Sequence, residues 1–95
     1  MELFIFARFH AREGREEAAA AALREVVGPT AAEPGCLAIG AFRASLDPRL
    51  FFIHSRWVDE AAFDLHAVLP HTVLFIRRMN ELTDQPVEVV RTLPL

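Results

Sequence analysis

Tyrosine is absent from the 95 residues, and cysteine and tryptophan occur once each. The lone thiol, Cys36, cannot form an internal disulfide, which fits a reducing cytoplasm. Basic charge is also scarce. The net charge is −3, the isoelectric point is near 5.7, and only Arg77 and Arg78 stand side by side. The electrostatic footprint of a nucleic-acid binder is therefore missing. No apolar run approaches the roughly 20 residues that span a bilayer. The longest candidate, Ala18 to Leu23, lies between Arg15-Glu16-Glu17 and Arg24-Glu25. The first residues have neither the basic start nor the long apolar core of a signal peptide. These absences predict a cytoplasmic protein that uses neither membrane nor nucleic acid.

Apolar residues are abundant, at 53%. A chain this short is expected to fold as one domain over residues 1–95, because halves would be too small to bury a core. Such a domain exposes much of its surface, so this apolar excess predicts a pocket, a covered face against another chain, or both.

Leu3 to Ala11 reads as a strand, with Leu3, Ile5, Ala7 and Phe9 on one face and Phe4, Phe6, Arg8 and His10 on the other. Both faces are largely apolar. Gly14 precedes an alanine-rich helix whose buried stripe is Ala19, Leu23, Val26 and Val27. Pro29 is expected to kink or end it, and Pro34-Gly35 to stop whatever remains. Cys36–Ser45 and Leu50–Trp57 read as strands joined by the turn Leu46-Asp47-Pro48-Arg49. Asp59 is a good N-cap for a helix to Leu69, and Pro70 starts a new helical turn. His71 to Leu82 places Phe75, Met79 and Leu82 at helical spacing, and Val87–Leu93 is the last strand. The order β-α-β-β-α-β is that of ferredoxin-like α+β folds with an antiparallel sheet. Helices cover one face of such a sheet. The other, also apolar here, predicts a second copy of the chain and hence a homodimer.

An ordered set of motifs narrows the function: Glu33-Pro34-Gly35-Cys36-Leu37, Asp47-Pro48, Phe52 through Trp57, Asp59-Glu60-Ala61 with His66, and Pro70-His71. In sequence and spacing it resembles the antibiotic biosynthesis monooxygenase family over nearly the whole chain. That resemblance implies a dimeric α+β barrel with a pocket between sheet and helices in each subunit. It also implies cofactor-independent monooxygenation of a small hydroxyaromatic or quinol, or else a non-oxidative binding protein or isomerase on the same scaffold. Ser55 stands where many relatives carry Glu.

His66, one helical turn beyond Ala62 and Phe63, is either a core histidine bonded to a carbonyl or a general base whose apolar surround favours the neutral ring. The resemblance matches it to the family's helix histidine. Trp57 is either a core anchor or a pocket wall. His71 is a surface or capping residue, or a substrate contact, and Phe63 shares the inward face. Arg8, His10, Arg43, His54 and Arg56 interrupt apolar strands. Arg8 and His54 are the polar helpers expected in the pocket, while structural partners are the alternative for all five. Cys36 reads as a small buried hydrophobe. No cofactor is expected, since nothing resembles a dinucleotide or phosphate loop. No metal is expected either. On one ideal helix His66 and His71 would lie about 140° apart, and no Cys pair or acidic cluster stands near them.

Overall fold

The computed structural model describes all residues, 1–95. The chain runs β1 (Leu3–His10), α1 (Glu16–Ala31), β2 (Cys36–Arg43), β3 (Leu50–Trp57), α2 (Glu60–Val68), α3 (Pro70–Leu82) and β4 (Glu88–Thr92). The four strands form one antiparallel sheet in the order β2-β3-β1-β4. This is the expected ferredoxin-like arrangement, with the second helical region split in two.

Strand alternation decides what each sheet face carries. Leu3, Ile5, Ala7 and Phe9 of β1 and Phe51, Ile53, Ser55 and Trp57 of β3 are buried beneath the helices. One cluster joins Ala7, Phe9, Phe51 and Ile53 to Ala19, Leu23 and Val26 of α1 and to Met79 and Leu82 of α3. A smaller one joins Leu3, Ile5, Trp57 and Phe63. At about 1.5–3 kcal/mol for each large side chain removed from water, these stripes account for the helices docking on this face. The opposite face stays open. Phe6 is 50% exposed, Phe42 58% and Val90 52%, and the pairs Phe6↔Val90 and Phe42↔Phe52 set apolar side chains on it around Arg8 and His54.

Helix α1 departs from expectation by running through Pro29 to Ala31. Proline removes one N–H and crowds the carbonyl four residues back, yet the last turn survives, with Ala32 N–H donating to Gly28 O and Glu33 N–H to Thr30 O. Thr30 is buried against the sheet, which holds that turn in place. Asp59 caps α2 as expected, its carboxylate accepting from Ala62 N–H at 2.8 Å. Leu69 is extended (ψ 146°) and Pro70 opens α3, so α2 and α3 meet at a corner. No helix is long and apolar enough to cross a membrane.

Gly35 is required twice over. Its φ of +90° is a conformation that side chains disfavour, and a Cβ there would lie 2.7 Å from Ala62 Cβ. The glycine lets the α1–β2 connection press against α2 and carries Glu33 to the end of that helix.

Candidate active site

A cavity of about 360 Å³ lies between the covered sheet face and all three helices. Its floor is apolar, from Ile5, Ala7, Phe9 and Ile53, and Val26, Phe63, Phe75 and Ile76 close it from the helices. Five polar groups interrupt this lining: Thr30, Ser55, His66, Thr72 and Arg91.

His66 is the centre of the arrangement. Its side chain is 13% exposed, and Nδ1 lies 2.8 Å and 3.1 Å from the two carboxylate oxygens of Glu33. A carboxylate only accepts, so Nδ1 carries the proton and donates it, and in the neutral ring Nε2 is then an acceptor. The ring is wedged between Trp57, 4.8 Å between centroids, and Phe63, 5.4 Å. Carboxylate, aromatic walls and Thr72 Oγ1 at 3.2 Å fix both tautomer and orientation. That is how an outer carboxylate prepares an imidazole base.

Glu33 is shared. The same Oε2 accepts from His71 Nε2 at 2.7 Å, and the carboxylate side chain is only 8% exposed. This corrects the geometry expected from sequence. His66 and His71 do not share an ideal helix: the break at Leu69–Pro70 puts one in α2 and the other in the first turn of α3, where both turn toward one acid. The three residues place a donor atom each within 4.8 Å of one another, so an acid does stand beside the two histidines.

Phe63 and His66 line the cavity. Trp57 does not. It is fully buried behind His66, its indole N–H donating to Ser55 Oγ at 3.0 Å, so it supports the ring rather than bounding the pocket. Ser55 thereby has its own role, as the buried acceptor for that indole. His71 reaches the site through Glu33 and lines a neighbouring cleft of about 210 Å³.

The polar strand residues are elsewhere. Arg8 and His54 were expected in the pocket, but strand parity puts them on the open sheet face. Arg8 donates to Gln85 at 2.8 Å. His54 bonds the Ile5 carbonyl at 3.1 Å and stacks on Phe6. His10 pairs with Asp84, Arg43 with Glu17 and Arg56 with Glu2. Each has the structural partner that strand polar groups usually find. Burial, with Glu33's charge adding to it, pushes the Cys36 thiol above its ordinary value, so it is a poor source of thiolate.

Three residues that sequence reasoning did not assign belong to the site. Glu33 was visible only as the first letter of a turn motif. Thr30 continues the α1 stripe four residues beyond Val26. It is 1% exposed, lines the cavity, and its Oγ1 has no hydrogen-bond partner. Arg91 shares a β4 face with Val89. Its guanidinium lies 4.9 Å from the Phe63 ring centre and bonds Asp64 at 2.8 Å.

The antibiotic biosynthesis monooxygenase family model matches residues 3–78. The chain is 31% identical over 91 residues to a Mycobacterium tuberculosis protein named "Putative monooxygenase Rv0793", covering 96% of this chain and 89% of that one. The solved structure of that protein superposes with a TM-score of 0.94 at 28% identity, over 100% and 96% of the two chains. The Pseudomonas aeruginosa protein PA3566 gives 0.91 at 31% identity, over 99% and 94%. The chain belongs to the antibiotic biosynthesis monooxygenase family.

Proposed function

We propose that the protein is a cofactor-independent monooxygenase in which His66 removes the hydroxyl proton of a small hydroxyaromatic or quinol bound in the apolar cavity. The observation that carries this reading is the Glu33–His66 pair. The carboxylate holds the proton on Nδ1, and Nε2, on a ring that lines the cavity, has no partner within the protein. An oriented imidazole beside an apolar chamber suits proton abstraction from a phenol.

The substrate supplies the electrons. Hydroquinone and one molecule of dioxygen give hydroxybenzoquinone and one water. One oxygen atom enters a ring C–H bond as a hydroxyl. The other takes two electrons and two protons from the quinol hydroxyls and leaves as water. Once deprotonated, the ring is electron-rich enough to reduce dioxygen without a resident cofactor. Thr30 Oγ1 and the Arg91 guanidinium are the donors available for the developing oxyanion. An unpartnered buried hydroxyl costs about 1–3 kcal/mol, a cost that a ligand oxygen at Thr30 would relieve. The open face carrying Phe6, Phe42 and Phe52 is the surface through which we expect two copies to pair, sheet against sheet.

Oxygen uptake with a panel of hydroquinones tests the reading. Wild-type protein should consume one dioxygen per hydroxyquinone formed, and His66→Gln should lower turnover by about 10²–10⁴-fold. If no hydroquinone consumes oxygen with wild-type protein, the non-oxidative binding or isomerase reading replaces this one.

A further inference from the structure

Glu33 is a carboxylate with 8% exposure and no arginine beside it. Its only ion-pair partners are the two imidazoles of His66 and His71. Burying a carboxylate without a full countercharge is costly. Two nitrogens and an acid converging on one point form a two-histidine, one-carboxylate set, a donor combination that suits divalent transition ions. We propose that Glu33, His66 and His71 bind a zinc-class divalent cation, and that this ion switches the base off.

The distances favour the exchange. His66 Nδ1 and His71 Nε2 lie 2.8 Å and 2.7 Å from Glu33 Oε2, and all three residues have donors within 4.8 Å of one another. Donors around a four-coordinate ion with bonds of 2.0–2.1 Å stand about 3.3 Å apart. Replacing the two N–H protons by one ion therefore asks the nitrogen–oxygen edges to open by about half an ångström, and the two nitrogens, which stand within 4.8 Å of each other, to close toward about 3.3 Å. Thr72 Oγ1, 3.2 Å from His66 Nδ1, stands near as a further oxygen. His71 also lines the neighbouring cleft with Pro29 and Leu74, so this ligand is reached from outside the substrate cavity.

The consequence follows from tautomerism. An ion on Nδ1 requires that nitrogen's lone pair, so a neutral His66 must carry its proton on Nε2. The atom facing a substrate hydroxyl then donates instead of accepting. Proton abstraction stops, while the cavity stays open. This regulatory step rests on the base role of His66 proposed above; metal binding itself does not.

The test is a Co²⁺ titration of the metal-free protein, followed by visible absorption, with Zn²⁺ as competitor. Wild-type protein should take up one Co²⁺ per chain, displaced by Zn²⁺. His71→Ala should bind at least about 100-fold more weakly, a ligand loss exceeding the 10–100-fold typical of an outer-shell partner. The alanine variant removes a ring that is 31% exposed, and its circular dichroism spectrum will report whether the fold persists. Glu33→Gln gives a second, isosteric check on the same binding. Absent Co²⁺ absorption up to millimolar metal, or equal binding by wild type and both variants, would overturn the site. Nitrogen-15 NMR of the Zn²⁺-loaded protein should show the His66 proton on Nε2, a readout independent of turnover. A proton that stays on Nδ1, or oxygen uptake that persists or rises with bound metal, would overturn the switch alone.

Discussion

Gly35→Ala is the sharpest structural perturbation available, because it strikes the fold and the site together. Two terms set its size. Holding an L-residue at φ +90° costs about 1–2 kcal/mol. A Cβ at 2.7 Å from Ala62 Cβ and 3.2 Å from Val58 Cγ2 must push α2 outward, and such overpacking typically costs about 1–3 kcal/mol. The sum is about 2–5 kcal/mol, or a fall in Tm of roughly 8–40 °C for a domain of this size. His66 lies one turn beyond Ala62, so the same displacement should open the Glu33–His66 contact. Urea and thermal denaturation measure the first effect. A double-mutant cycle separates the terms: adding Ala62→Gly removes the clash, at about 1 kcal/mol of helix propensity, but leaves the backbone penalty. The pair should therefore show favourable coupling. If Gly35→Ala alone unfolds within about 0.5 kcal/mol of wild type, the size expected of a neutral surface change, the close approach does not constrain α2 and the reasoning fails.

Other perturbations reach the remaining parts of the account. Glu33→Gln keeps the shape but offers one acceptor oxygen to two imidazoles, so turnover should drop about 10–100-fold with the fold retained; unchanged kinetics would show that the carboxylate does not orient the base. The hydrogen bond from His10 holds the Asp84 carboxyl below its usual range, with the His10 and Arg49 charges adding to the effect. Its folded-state value is depressed, so its stabilisation is fully present above the ordinary Asp value of about 4. That contribution is lost as pH falls through the lower folded value. Asp84→Asn should therefore lower Tm at pH 7 and flatten the decline of Tm with acid, as thermal melts across pH 2–7 will show. Phe6→Asp on the open face should convert a dimer of twice 10.7 kDa into monomer by light scattering; wild-type protein that is already monomeric would leave that face without its proposed cover.

Much of the fold was legible because local chemistry and global arrangement agree in it. The alternation in β1 and β3, the Asp47-Pro48 turn, the Asp59 cap and the Pro70 helix start all act within a few residues of where they are read. The site was less legible, because it forms where distant segments meet. Glu33 belongs to a turn motif, and its partners lie 33 and 38 residues away. Helical geometry applied across Pro70 separated two histidines that the corner between α2 and α3 brings to one carboxylate. Arg8 and His54 were expected in the pocket although parity with the apolar Ile5 and Ile53 already placed them on the opposite face. For Trp57 the sequence leaves a choice between core anchor and pocket wall. It is a core anchor whose outer neighbour is the catalytic candidate.

The most direct test of the central claim is a crystal structure of the protein soaked with a hydroquinone under anaerobic conditions. Ring density is expected in the cavity between Phe75, Thr30 and Ile53, with a hydroxyl oxygen about 2.6–3.2 Å from His66 Nε2. Density on the open sheet face beside Arg8 and His54, or a ring in the cavity with both oxygens turned away from His66, would contradict it.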